Sequence, residues 1–253
     1  MDYAQARLQA RFGERPDEST WQKLESAPEP AAALEIARSS GLRRWVAGIT
    51  PDSDSHAIEI ALRACWRECV SELSSWMPGN WQPALLWARG LADLPALCYL
   101  ARGGVALPWM LLDPLLHAYA QADSKAREAM LREDWRPSLK SASRGLGHAE
   151  PSAGPLPPHI RDAWLDEWRR RWPRWGDTSS LEDLARLLAA TMKQPATLLA
   201  RRELLRELRR LFRQSVLHPV AAFIYIAFVA IDVERLRAGL LKHALAREGI
   251  IAP

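Results

Sequence analysis

Seventeen consecutive residues near the C-terminus, Ser215 to Ile231, carry no Asp, Glu, Lys or Arg. The run SVLHPVAAFIYIAFVAI then gives way at once to the charged stretch Asp232-Val-Glu-Arg-Leu-Arg237. A membrane-crossing helix needs about 20 apolar residues to span roughly 30 Å of hydrocarbon. This run is shorter, opens on His218 and Pro219, and its apolar core, Val220 to Val233, already contains Asp232. Lengths of that order belong to the buried helices of globular chains. The run is therefore expected to be the central packing helix of a bundle, with Asp232, Glu234, Arg235 and Arg237 at its wetter end.

The opening stretch, MDYAQARLQARFGERPDEST, has an acidic residue at position 2 and no apolar block, so it is not expected to act as a signal peptide. The expectation is a soluble, cytoplasmic chain. With 253 residues, 48% of them hydrophobic, there is material for one large core or two smaller ones. Cys65, Cys69 and Cys98 make no disulfide framework. The i,i+4 pair Cys65 and Cys69 reads as two small core side chains on one helix face, with no further ligand spaced for a metal. The net charge of +4 is rich in Arg, but the basic residues are mostly interleaved with acidic ones, so charge alone implies no nucleic-acid partner.

Almost every segment has helical period and none alternates at period two, while Ala, Leu, Arg and Glu dominate. The expected class is all-α, built of helical bundles. Helices are expected over Asp2–Phe12, from an Asp17 cap through Trp21 and Leu24, and from Pro30 to about Val46. The Thr50–Ser55 cluster opens a long helix with Ile58, Leu62, Cys65, Cys69, Leu73 and Trp76 facing inward. Trp81 to Arg102 and Leu107 to Ala120 follow, the latter kinked at Pro114, and then a weaker helix at Ser124–Glu133. The Pro-, Gly- and Ser-rich residues 136–158 read as a linker, dividing an N-terminal region, 1–135, from a C-terminal region, 159–253. That second region holds helices near 159–172, 179–193, 196–214 and 219–247. Its last helix is expected to close against the first.

No Walker loop, dinucleotide-binding glycine pattern, His-Glu-x-x-His or Gly-x-Ser-x-Gly is present. The six histidines, at 56, 117, 148, 159, 218 and 243, lack metal spacing, and no carboxylate pair stands out. No catalytic residue, metal or cofactor is expected. Two patterns suit an interface instead. Arg202, Arg206, Arg209 and Arg213 follow i, i+4, i+7, i+11, which sets four guanidinium groups on one helix face. The plain reading is a solvated face; the functional one is docking on acidic protein or anionic lipid. Trp164, Trp168, Trp172 and Trp175 recur at helical spacing beside Arg169, Arg170, Arg171 and Arg174. They read either as a buried aromatic stripe or, with Trp168 and Arg170 exposed, as an interface anchor.

The two ends of the chain resemble the C/d-type stalk-to-ring proteins of V-type and archaeal-type ATPases. The helix from Tyr3 through Ala6-Arg7 to Arg11 is similar to that family's opening Tyr-x-x-Ala-Arg helix. A short helix, Trp21 to Ser26, and the stretch Ala32 to Trp45 follow in the family's order. The stretch from His218 into Asp232-Val-Glu-Arg-Leu-Arg237 is similar to its closing helix, which runs into Glu-x-x-Leu-Arg. Here Glu234, Leu236 and Arg237 stand one residue tighter. Trp81 to Arg89 is a fainter echo. The similarity covers about 1–50 and 216–247, and family members are longer.

The resemblance implies two or more similar bundles in a funnel-like arrangement and a non-catalytic role in a rotary ATPase. There the family's members stand on the membrane ring, receive the central stalk and couple ATP turnover to ion movement. The partners would be stalk and ring subunits, with membrane contact only through the ring and no nucleic acid. The alternative is a free-standing helical adaptor that binds a protein or an anionic membrane surface through its Trp and Arg stripes.

Overall fold

The computed structural model describes residues 1–123, 125–127, 129–130, 158–174, 178–191 and 197–250. Residues 136–157 of the expected linker and Trp175 lie outside these, and the helix expected from Ser124 is described only in part. Among the described residues every regular element is a helix and none is a strand, so the fold is all-α. The α-helices are α1 (Asp2–Gly13), α2 (Glu18–Glu25), α3 (Pro30–Arg38), α4 (Ser55–Ser75), α5 (Gln82–Trp87) and α6 (Leu94–Ala101). After them come α7 (Pro108–Leu112), α8 (His117–Gln121), α9 (Pro158–Arg170), α10 (Ser179–Thr191), α11 (Leu198–Gln214) and α12 (Val220–Arg247).

They form two compact units. The first joins Met1–Trp76 to Val216–Pro253, and the second is Met77–Ser215. These boundaries fall elsewhere than the 136–158 segment, because the first unit is closed by residues from both ends of the chain.

The first unit is organised by the uncharged run. Helix α12 is apolar around much of its circumference, and such a helix must be covered on several sides. Helix α4 packs along it, and α1 and α3 cover further sides. Ile224, Phe228 and Leu236 of α12 are fully buried, as are Leu8 of α1 and Leu34 of α3 at 1% exposure or less. Full burial of such a side chain contributes about 1.5–3 kcal/mol. On α4, Ile58, Leu62, Cys69 and Leu73 face inward as the period requires, while Cys65 and, just past the helix end, Trp76 are only half-buried.

Local chemistry sets the helix ends. Asp17 accepts the Thr20 N–H at 2.8 Å to cap α2, and Asp54 accepts the Ala57 N–H at 2.7 Å to cap α4. Pro30 occupies the first turn of α3, where its missing N–H costs nothing. That helix stops at Arg38, well short of Val46; a turn and a 3₁₀ segment, Arg43–Val46, complete the stretch. Gly41 lies in this turn, and a Cβ there would collide with the Glu14 backbone carbonyl. Ahead of α12, Leu217 sits at φ +60°, a conformation uncommon for a residue with a side chain. Its N–H is held by the Gln5 Oε1 at 3.1 Å.

The second unit has shorter elements than the sequence period suggests. The stretch Trp81–Arg102 is not one helix: α5 ends at Trp87, a 3₁₀ turn covers Ala88–Ala92, and α6 starts afresh at Leu94. Gly90 and Pro95 supply the break, one by flexibility and one by lacking an N–H. Leu107–Ala120 likewise splits at Asp113-Pro114. The Asp113 Oδ1 accepts the Leu115 N–H at 2.9 Å, stabilising a turn where a kinked helix was expected. Helix α9 packs on α5, and α10 packs on α11. Among the described residues no single helix is long and apolar enough to cross a membrane. One pair, Gln82–Ala92 with Leu94–Ala101, reaches that length and composition only across a 55° bend.

Candidate functional site

In the first unit the charged end of α12 is tied to the opening helices. The Arg15 Nε and Nη2 donate to the Asp232 carboxylate at 2.6 and 2.9 Å, a bidentate pair largely shielded from water. The same guanidinium lies 4.4 Å from the Phe228 ring centroid, and Phe228 meets Phe12 edge-on at 5.1 Å. One turn on, Arg235 reaches Glu18 and Glu25 of α2 and lies over Trp21 at 4.8 Å. Donation of hydrogen bonds to Glu25, opposed by burial and aided by Glu18, raises the Arg235 pKa further above its already high value. Arg237 donates to Glu59 of α4 at 2.6 Å. Glu234 is exposed beside Arg237 at 3.6 Å, and Leu236 is fully buried between these charged neighbours.

A second charged knot surrounds Glu72 of α4. Arg11 donates to it at 2.8 Å and Arg44 at 2.9 Å, with Arg7 at 4.0 Å. Arg7 also lies 4.6 Å from the Trp76 ring centroid and bonds the exposed Tyr3 hydroxyl. Between the two knots is a cavity of about 30 Å³ lined by Arg11, Arg15, Arg44, Cys69, Tyr225 and Asp232. It has room for a water or two and none for an organic substrate. Burial raises the Cys69 thiol to about 11 and pushes the Tyr225 phenol upward, so both stay protonated near neutrality. Among the described residues no group of three or more His, Cys, Asp or Glu is placed to hold a metal ion.

In the second unit the tryptophans stack. Trp87 and Trp164 lie 6.3 Å apart, Trp164 and Trp168 5.9 Å, and Trp168 meets Trp172 edge-on at 5.2 Å. The Trp87 indole N–H donates to the Trp164 carbonyl at 3.2 Å. Trp164 and Trp168 are each 3% exposed, so Trp168 packs inside the unit and presents nothing to a partner. The neighbouring arginines are balanced. Arg169 lies near Asp166 and Glu182, while Arg170 and Arg171 both pair with Glu167 at 2.8 Å. Arg171 also covers the Trp87 ring at 4.3 Å.

Helix α11 differs. Its N-cap is Thr197, whose hydroxyl accepts the Ala200 N–H at 3.1 Å, and Leu208, Leu211 and Phe212 are buried on one side. Arg202, Arg206, Arg209 and Arg213 are all exposed together on the other. Arg202, Arg209 and Arg213 make no ion pair among the described residues, and Arg206 comes only within 3.9 Å of Glu207. Of the residues singled out by spacing, these four are brought together at the surface, Trp168 is sealed in, and Arg170 is neutralised. Tyr3, Arg7, Glu234, Leu236 and Arg237 all fall in the first unit. Spacing gave no hint of Arg15, Arg11, Arg44 or Glu72, whose partners are remote in sequence. No protein-family model, curated protein or solved structure matches this chain.

Proposed function

We propose that this chain is a non-catalytic part of a rotary V/A-type ATPase, coupling the central stalk to the membrane ring that moves ions. One observation carries the reading: the two terminal stretches that bear the resemblance pack into one unit. Arg15 with Asp232 and Arg235 with Glu18 and Glu25 join them through charge-assisted bonds, and Arg237 ties the closing stretch to Glu59 of α4. Asp232 and Arg235, which flank the motif residues of α12, thus fasten the helical body. A torque-bearing part needs such fastening, because transmitted force must not open the junction between the chain's ends.

The test is affinity purification of the tagged chain from its own cells under low salt, with identification of the proteins retained. Stalk and ring subunits of a rotary ATPase are expected in stoichiometric amounts. Their absence, while the chain itself is recovered folded, overturns the proposal and favours a free-standing adaptor.

A further inference from the structure

Helix α11 contains six Arg and two Glu, a surplus of four positive charges. The whole chain has 34 Lys and Arg against 30 Asp and Glu, also a surplus of four. Outside α11 the chain is therefore balanced at 28 against 28, and its entire formal net charge resides in this one helix. Elsewhere in the unit, basic residues such as Arg170 and Arg171 lie against carboxylates. On the exposed row of α11 only Arg206 comes near a carboxylate among the described residues, at 3.9 Å from Glu207.

The positions on that face are also ordered. Leu199, Arg202, Arg206, Arg209 and Arg213 are separated by three, four, three and four residues. This alternation keeps all five on one face, in a nearly straight row along the helix. At a rise of about 1.5 Å per residue the seam is roughly 21 Å long. Leu199 at its start is 67% exposed, an apolar contact at the end of a row of guanidinium groups. All the basic residues of the helix are Arg and none is Lys, which suits paired, planar contact with carboxylates.

We infer that the Leu199–Arg213 seam of α11 is the docking surface for a helix of another protein bearing Asp or Glu at the same three-four spacing. Insertion into a lipid surface is disfavoured, because an interfacial helix buries its apolar face in the bilayer. Here that face, Leu208, Leu211 and Phe212, is already covered within the unit. The inference stands independently of the coupling role, since an adaptor outside any ATPase would need the same partner chemistry.

The experiment measures binding of the full chain to a labelled helical peptide with Glu at three-four spacing and one Leu at its end. A scrambled peptide of the same composition, single-stranded DNA and phosphatidylglycerol vesicles serve as competing probes. The ordered peptide is expected to bind about tenfold or more tightly than the scrambled one, and to weaken with salt. Reversing Arg202, Arg206, Arg209 and Arg213 to Glu should abolish that binding and create binding to a peptide with Lys in place of Glu. Should the fourfold variant lose its helical circular dichroism, the milder pair Arg206→Gln and Arg209→Gln decides, with a several-fold loss expected. Equal affinity for both peptides, preference for DNA or vesicles, or unchanged binding by the folded variants overturns the inference.

Discussion

Arg15 and Asp232 stand 217 residues apart in sequence and make a bidentate ion pair largely shielded from water. Removing one member of a buried pair leaves the other desolvated and uncompensated, at a cost of about 3 kcal/mol. Asp232→Ala should therefore lower the unfolding free energy by about that amount, whereas the double change Arg15→Met with Asp232→Leu should stay within roughly 1 kcal/mol of the parent. Urea unfolding of the three proteins checks this, and equal losses in the single and double variants would refute it. The thiols give a second handle at this scale. Burial raises Cys69 to about 11 and Cys98 to about 12, from 9.0. Folding keeps such a thiol neutral while the unfolded thiol ionises, so stability is fully present below 9.0 and falls as pH climbs from there towards about 11. At pH 8 the native protein should leave Cys69 and Cys98 nearly unreactive to a disulfide reagent, with both released by denaturant. Rapid titration of either in the folded state would contradict their burial.

Individual helices were legible wherever a local rule was decisive. Asp17, the Thr50–Ser55 cluster and Pro30 announce helix starts because a cap or a fixed φ acts within a few residues; within the cluster the cap is Asp54. Asp54→Ala should accordingly destabilise the first unit by about 1 kcal/mol, with Asp54→Ser retaining most of the parent stability. A thermal melt of the three proteins measures it, and equal losses for Ala and Ser would show that capping is not the cause. Elements failed to be legible where two local preferences competed. Trp81–Arg102 is periodic enough for one helix, yet Gly90 and Pro95 break it, and Asp113 converts an expected kink at Pro114 into a turn. The arginine face of α11 was readable from spacing, because periodicity fixes which side chains share a face. How little of it is paired with carboxylates was not. The equally periodic tryptophans of α9 went inward, and only the packing of α9 against α5 decides between those outcomes.

At the scale of the whole molecule, the first unit cannot be completed by local folding. Helix α12 supplies Val220, Ile224, Phe228, Leu236 and Leu240 to its core, while α1, α3 and α4 supply the surfaces that cover them. Charge patterns along the sequence mark the ends of these elements but not which end meets which, since pairs such as Arg237 with Glu59 connect positions 178 residues apart. The intervening second unit need only bring the ends close, and a long closed loop costs little more than a short one because the penalty grows with the logarithm of its length. Residues 1–76 and 216–253 should then assemble when expressed as two separate chains. Neither fragment alone should unfold cooperatively: one lacks its central helix, and the other exposes an apolar surface that drives aggregation. Co-expressed with a tag on one fragment, they are expected to co-purify at equal stoichiometry with strong helical circular dichroism. Asp232→Ala in the shorter fragment should weaken the association by about a hundredfold, the binding equivalent of a broken buried pair. If residues 1–76 fold cooperatively by themselves, or if the fragments never associate, α12 is not the core element on which this unit closes.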